Sequence, residues 1–332
     1  MSTNFPILLS AGALALVPST ALAAAKDMCW EYDIIPAEDY ADEDTSWYHI
    51  ANNGDMVGNF CSSADGTGCT VGYDSLVWGA IYDAAHDTVE WFQPPEGYNV
   101  VQRAGMNESG TVVGTAVDGN GAGGVARAAA FMLVDGVATV FDDPTGYGYY
   151  AATDINASGV IAGYSRDDSV FPGGRIGWIL YPDGSYEEVE VPGAYRTFPF
   201  GINNHGDVAG YFLDGDYAAA GGFIRWADGT YETVWNFDFF GGGTPPWTEY
   251  FFYDINENGT VVGTFTEYGS GAYPDGISDT GGIYWPDGGT MEEVHLSGYG
   301  YVHLDSINAR GTISGDTNTP PDGIVVERTR CR

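Results

Sequence analysis

Basic residues are scarce in this sequence, which has 11 lysines and arginines against 46 aspartates and glutamates. The formal net charge of -35 at pH 7 repels phosphates within the screening length, so we exclude nucleic acid as a partner. The same charge argues against binding to anionic membranes. It is typical of a strongly hydrated surface in a saline habitat, and a cation-collecting or calcium-binding role is the alternative.

Long apolar runs are missing beyond the N-terminus, so no membrane insertion is expected. The first 23 residues contain no charged side chain, Ile7 to Val17 is apolar apart from small residues, and Ala21-Leu22-Ala23 suits a signal peptidase. A membrane anchor would need about 20 apolar residues, and polar residues interrupt this stretch too early. We therefore predict a signal peptide over residues 1–23 and a secreted or periplasmic protein.

Apolar stripes at helical spacing are also lacking, whereas glycine (49 residues) and aromatic residues (14%) are frequent. This composition is typical of many short strands joined by tight turns. Residues 24–332 exceed the usual size of one compact core, which suits a large domain or a repeat array. We expect an all-β monomer.

One motif recurs six times: an apolar residue, Asn, two variable residues, Gly, a variable residue, two mostly apolar residues and Gly. Asparagine at the start of a four-residue turn bonds its side chain to the backbone two residues on, and the first glycine takes the left-handed conformation. The second glycine lets neighbouring backbones approach closely. Only Ala51 departs from the asparagine position. The copies start at Ile50, Met106, Ile155, Ile202, Ile255 and Ile307.

A second hairpin with an Asp-Gly turn lies between the copies, for example at Asp183-Gly184 and Asp228-Gly229. Each repeat therefore offers four short strands in roughly 50 residues, which is the size of one propeller blade. The sequence predicts a six-bladed β-propeller of four-stranded blades over residues 24–332. After the last copy there is room for only a third strand, so we expect the N-terminal strand to complete the closing blade.

Four cysteines allow three disulfide pairings. We predict that Cys29 bonds to Cys331, which would staple the closing blade, and that Cys61 bonds to Cys69 across a short loop. Export permits both bonds. A zinc site would need both pairs to be adjacent, which their spacing does not support, so no metal site is expected.

The alternation of an Ile-Asn-x-x-Gly-x-Val-x-Gly hairpin with a Phe-x-x-Trp-like hairpin resembles the extracellular HAF repeat family. The resemblance covers essentially all of residues 24–332. The histidine of the family's His-Ala-Phe half is absent from the corresponding segments 129–131 and 222–224. The resemblance implies export and repeat architecture, and no activity or catalytic residue.

Aromatic residues and arginines gather in segments that would surround the mouth of a propeller channel. Exposed rings suit stacking on sugar faces, and packing between blades is the alternative. Guanidinium forks bind carboxylate, sulfate or phosphate, and separate surface salt bridges are the alternative. The candidate ligand-binding residues are Arg103, Arg127, Tyr149, Tyr150, Arg166, Arg175, Tyr195, Arg196, Trp247, Tyr250 and Tyr301.

The predicted function is binding of a glycan or small anionic ligand on this loop-rich face. A polysaccharide-degrading enzyme is the alternative, and a structural or protein-interaction module of the cell envelope is the third interpretation. Tyr and His as base and acid, with Arg neutralising a uronate carboxylate, would suit β-elimination. The candidate catalytic residues are His49, Tyr195, Arg196 and His303.

Carboxylates near the repeat isoleucines offer a second route, glycoside hydrolysis, which we rank behind elimination. They are Asp154, Asp254 and Asp305, and their recurrence fits repeat structure better than a unique site. No cofactor is expected. Calcium has a single candidate segment, Asp118-Gly-Asn120 with Gly121.

Overall fold

The computed structural model describes residues 28–34, 45–61, 77–119, 125–167, 174–214, 219–235, 247–268, 277–287, 289–296, 301–317 and 323–330. These residues form strands and turns, which confirms the all-β prediction. Within these ranges no helix is long and apolar enough to cross a membrane. The predicted signal peptide, residues 1–23, lies outside the described residues.

The described strands form six four-stranded units, numbered here in chain order. Unit 1 contains β2 (Thr45–Ile50), β3 (Met56–Cys61), β4 (Val77–Asp83) and β5 (Thr88–Phe92). Unit 2 contains β6 (Val100–Met106), β7 (Val112–Gly119), β8 (Val125–Val134) and β9 (Val137–Val140). Unit 3 contains β10 (Tyr149–Ile155), β11 (Ile161–Asp167), β12 (Gly174–Leu180) and β13 (Tyr186–Val189).

The last three units follow the same order of strands. Unit 4 contains β14 (Arg196–Ile202), β15 (Val208–Asp214), β16 (Ala219–Arg225) and β17 (Tyr231–Val234). Unit 5 contains β18 (Trp247–Ile255), β19 (Val261–Tyr268), β20 (Ile277–Trp285) and β21 (Glu292–Val294). Unit 6 contains β22 (Val302–Ile307), β23 (Ile313–Thr317), β24 (Gly323–Arg330) and β1 (Met28–Ile34).

Within each unit every strand pairs antiparallel with the next. A single parallel pair, Val77 with Val100, joins units 1 and 2, and Arg175 with Arg196 joins units 3 and 4. In unit 6 the N-terminal β1 pairs antiparallel with the C-terminal β24, as the sequence predicts. The first strands of successive units contact each other, and β22 contacts β2.

The repeat motif forms the predicted turn. Asn156 Oδ1 accepts hydrogen bonds of 3.0 Å from the backbone N–H groups of Ser158 and Val160, and Gly159 has φ +77°. The second glycine of the motif lies against the first strand of its unit: a Cβ on Gly263 would stand 2.0 Å from the Phe251 carbonyl oxygen. Both interpretations of the repeat glycines are confirmed.

Each repeat asparagine also links its unit to the next. Asn156 Nδ2 donates to the backbone oxygen of Asn203 (3.1 Å), and Asn308 Nδ2 donates to that of Ala51 (3.4 Å). Ala51 has no amide to offer, and Asn52 Nδ2 donates to Glu108 Oε1 instead. The turns of units 1 to 6 are therefore joined in a closed ring of hydrogen bonds. The remaining links are Asn107 to Asn156, Asn203 to Asn256 and Asn256 to Asn308.

The hydrophobic core lies between neighbouring units. Between units 2 and 3, for example, Val113 and Ala130 pack with Ile155 and the fully buried Trp178. Large apolar side chains buried between sheets are the main stabilising contribution in such a layered fold. The first strands of the units, which contact one another, position the site.

Candidate functional site

Each first strand carries one β-bulge, which positions the candidate site. The register shifts by one residue in β2, β6, β10, β14, β18 and β22. A bulge redirects the side chain of the extra residue. The skipped residues are Tyr48, Gln102, Thr153, Phe200, Tyr253 and Asp305.

Most of these bulged residues line a cavity of about 370 Å³, called the central cavity below. Strands of units 1 to 5 line it, and five of the six bulged residues are among the lining side chains. The lining is mostly aromatic with a single arginine. It comprises Tyr48, Gln102, Arg103, Thr115, Thr153, Tyr164, Phe200, Tyr211, Phe251 and Tyr253.

Arg103 is the charged group of the central cavity. Its guanidinium carbon lies 4.5 Å from the centroid of the Phe200 ring and 5.1 Å from that of Tyr253. Its Nη2 lies 3.6 Å from Asp305 Oδ1. Cation–π contacts in a desolvated site contribute about 2 kcal/mol. The aromatic rings and Asp305 therefore hold the guanidinium in a fixed position.

The cavity tyrosines keep their protons at neutral pH. Burial raises the pKa of Tyr48 to about 12, and it also raises the pKa of Tyr164, Tyr211 and Tyr253. Arg103 opposes this shift at all four, but burial is the larger effect. The four phenols therefore act as hydrogen-bonding groups at the edge of apolar rings.

A second group of polar side chains, the His303 cluster, consists of His303, Asp305 and Asp316. His303 and Asp316 are direct partners on β22 and β23, and their side chains lie 3.6 Å apart. Burial and the neighbouring Asp316 raise the pKa of Asp305 to about 8. Burial lowers the pKa of His303 to about 4. The imidazole is thus neutral at pH 7.

Three of the predicted arginines, Arg166, Arg175 and Arg196, form a guanidinium cluster on adjacent strands of units 3 and 4. Arg166 pairs with Arg175 in the register, and Arg175 pairs with Arg196. The ring of Tyr149 lies 4.8 Å from the Arg166 guanidinium and 5.3 Å from that of Arg175. Burial and the two neighbouring arginines lower the pKa of Arg175. Adjacent guanidinium groups of this kind favour an anion.

Not every predicted ligand-binding residue lies at these clusters. Arg127 is half exposed, forms a salt bridge with Asp118 and donates a hydrogen bond to the Gly97 carbonyl oxygen. It therefore matches the alternative interpretation, a separate surface salt bridge. Tyr150 is buried in the core, where its hydroxyl donates to the Phe141 carbonyl oxygen. We correct that assignment: strand alternation turns its ring between the sheets.

The remaining predicted rings divide in the same way. Tyr250 packs against the core around Phe252, so it also belongs to packing between units. Tyr301 lies 4.2 Å from His303, ring centroid to ring centroid, and Tyr195 lies under the Arg196 guanidinium at 5.3 Å. The side chain of Trp247 lies outside the described residues.

The four predicted catalytic candidates do not converge. Tyr195 and Arg196 belong to the guanidinium cluster and His303 to the cluster that bears its name. His49 is elsewhere: its Nδ1 lies 3.3 Å from Ser306 Oγ and 3.4 Å from Asp154 Oδ1. The candidates therefore lie at three separate places, with Tyr195 and Arg196 together.

Asp154 and Asp254 are structural links between units, as their recurrence suggested. Asp154 accepts from the backbone N–H groups of Ile155 (2.8 Å) and Ile202 (2.9 Å). Asp254 accepts from Ile307 N–H at 2.9 Å and from Ser306 Oγ at 2.5 Å. Asp305 differs because it stands one residue earlier in its repeat, at the bulge, and faces Arg103.

His49 predicts a pH dependence of stability. Burial lowers its pKa below the ordinary 6.5, so below pH 6.5 the unfolded chain binds a proton that the folded protein does not. The free energy of unfolding should then fall with decreasing pH by up to about 1.4 kcal/mol per pH unit, relative to H49Q. Urea unfolding of both proteins between about pH 5 and pH 8 measures this difference.

The matched control for this experiment is H86Q. His86 is exposed, and its hydrogen bond with Asp83 raises its pKa, which is the opposite direction. The difference in the free energy of unfolding between wild type and H86Q should therefore not show the change below pH 6.5 that is expected for H49Q. A stability difference between wild type and H49Q that does not change with pH would contradict the account of His49.

Several predicted features fall on residues outside the described ranges. Cys69, Cys331, Asn120 and Gly121 lie outside the described residues, as do the side chains of Cys29 and Cys61. Both disulfide pairings and the calcium segment therefore stay predictions.

Comparison with known proteins yields structural similarity only. No protein-family model matches the chain, and no curated protein matches it. The chain is similar to virginiamycin B lyase from Staphylococcus aureus (12% identity, 91% of this chain and 99% of that chain, TM-score 0.47). It is similar to the β-propeller domain of the trilobed protease from Pyrococcus furiosus (9%, 87% and 83%, 0.49). It is also similar to Trypanosoma rangeli sialidase (11%, 86% and 54%, 0.45).

Proposed function

We propose that the chain is a secreted six-bladed β-propeller whose central cavity binds a carbohydrate bearing a carboxylate, such as a uronic acid. Six four-stranded units, the ring of asparagine hydrogen bonds and the pairing of β1 with β24 support the propeller. Membership of the HAF repeat family and export are part of the same proposal.

The observation that carries the proposed function is Arg103 inside an aromatic cavity. A cavity of about 370 Å³ has the size of a small-molecule site. Tyr and Phe faces stack on the apolar faces of sugars, and buried phenols bond to sugar hydroxyls. A guanidinium adds a bidentate partner for a carboxylate. The guanidinium cluster beside the cavity would extend recognition to a second acidic residue of the glycan.

The test is binding of an acidic oligosaccharide and its neutral counterpart. We expect oligogalacturonate to bind in calorimetric titration, and the same oligomer with its carboxylates reduced to alcohols to bind about 30-fold more weakly, because a charged hydrogen-bonded pair contributes about 2 kcal/mol. Equal affinity for both oligomers would remove Arg103 from recognition. Binding of neither oligomer would overturn the proposed function.

A uronate lyase is the second candidate, and the positions of Tyr253 and His303 relative to Arg103 favour it. The Tyr253 ring contacts both the Arg103 guanidinium (5.1 Å) and the His303 ring (6.0 Å). A uronate bound to Arg103 would therefore have a phenol and an imidazole near its ring protons, as β-elimination requires. The protein would be incubated with oligogalacturonate while the absorbance of the unsaturated uronate product is followed. An increase in this absorbance would identify a lyase, and a constant absorbance would indicate a binding protein.

A further inference from the structure

We infer that His303, Asp305 and Asp316 form a site for a divalent transition metal beside the central cavity. The inference goes beyond carbohydrate binding, since the site would bind metal without any glycan.

The geometry follows from two adjacent strands. His303 and Asp305 are two residues apart on β22, and Asp316 is the direct partner of His303 on β23. Strand alternation brings the three side chains to one face. One ring nitrogen of His303 and one carboxylate oxygen of each aspartate all lie within 4.8 Å of one another. Small side-chain rotations would bring three such atoms to metal-ligand distance.

Asp305 is the second, independent observation. Its side chain is 2% exposed, and its Oδ2 has no hydrogen-bond partner among the described residues. A buried polar atom without a hydrogen-bond partner destabilises the folded protein. Arg103 Nη2 stands 3.6 Å from the other oxygen, Oδ1, so the arginine leaves Oδ2 unsatisfied. A cation bound in the cluster would satisfy it.

The donor set selects the class of metal. Imidazole favours zinc, copper, iron and nickel, whereas calcium and magnesium prefer sites built only from oxygen. Three protein ligands leave further coordination positions open, as in catalytic zinc sites, where water or substrate occupies the fourth position. Those positions would face the central cavity, because Arg103 of the cavity lining contacts Asp305.

The experiment titrates the metal-free full chain with Zn²⁺ in a calorimeter, and with Co²⁺ followed by visible absorbance. We expect one Zn²⁺ ion to bind per chain, and the bound Co²⁺ to show a visible spectrum typical of a low coordination number. H303A and D316N should each weaken Zn²⁺ binding by about 100-fold or more, since even outer-shell partners change metal affinity 10- to 100-fold. Both positions are partly exposed, so the variants should fold, which thermal unfolding checks.

The control variant is H295A. His295 is exposed and lies 3.9 Å from Glu293, so it resembles an adventitious surface site on a very acidic protein. Zn²⁺ affinity should be unchanged in H295A. Wild-type affinity in H303A and D316N, or no Zn²⁺ binding by the wild type, would overturn the metal site. Oligogalacturonate binding measured in EDTA would still report on Arg103, so the two proposals fail separately.

Discussion

Replacing Gly263 with alanine should destabilise the protein by about 3 kcal/mol and lower its Tm by roughly 5 °C. The new Cβ would stand 2.0 Å from the Phe251 carbonyl oxygen and 3.0 Å from the Phe252 Cα. Both obstacles are backbone atoms of the paired strand β18, so they cannot move without breaking the ladder beside the bulge. Urea and thermal unfolding of G263A measure the loss.

Gly174 provides the matched control for this prediction. It also lies in a strand, but no atom stands within 4 Å of a Cβ placed on it. G174A should therefore keep its free energy of unfolding within about 0.5 kcal/mol of the wild type. If G263A unfolded like G174A, the second glycine of the repeat would not be required for close approach.

Replacing Arg103 with glutamine should weaken oligogalacturonate binding on the order of 100-fold. Glutamine retains a hydrogen-bonding group near Phe200 and Tyr253 but removes the charge and the fork. R103K should lie between wild type and R103Q, because lysine keeps the charge as a single point donor. Calorimetric titration of the three proteins at one ionic strength measures the series.

The control for Arg103 is R310Q. Arg310 lies in the Asn-Gly turn of unit 6, where it is exposed and donates to the Asn52 carbonyl oxygen. Removing this charge should leave oligogalacturonate affinity unchanged. Equal loss in R103Q and R310Q would mean that net charge, not the cavity, controls binding.

The strands and turns of the repeats could be predicted from the sequence because they depend on interactions within a few residues of the repeat motif. Asparagine and the first glycine form a turn in five of the six copies, Ala51 replaces the asparagine in the first, and the alternation of apolar residues places the core. The asparagine links between units were not predictable in this way. A single asparagine such as Asn156 bonds within its turn through Oδ1 and to Asn203 through Nδ2, and only the second bond depends on tertiary structure.

The site was less accessible because bulges reset the alternation of side chains. We predicted ligand-binding rings in segments around the mouth of a channel, whereas the cavity is lined from within the strands by residues such as Tyr48 and Phe200. The orientation of each of these side chains depends on a one-residue register shift, which the local sequence pattern does not predict. Tyr150, on an unshifted stretch, points into the core instead.

One signal in the sequence could have identified part of the lining. The residue directly after the second repeat glycine occupies the same position on the second strand of each unit. In units 2, 3 and 4 that residue lines the cavity, and in unit 6 it belongs to the His303 cluster; the residues are Thr115, Tyr164, Tyr211 and Asp316. Comparing this position across the copies would have separated the site from the repeated framework.

The most direct test of the central claim is the NMR signal of the Arg103 Nε–H group, assigned by its absence in R103K. We predict that this signal shifts saturably as oligogalacturonate is added, while the Arg310 signal stays in place. Binding of the oligomer without any change at Arg103 would contradict the account, because the ligand would then lie outside the central cavity.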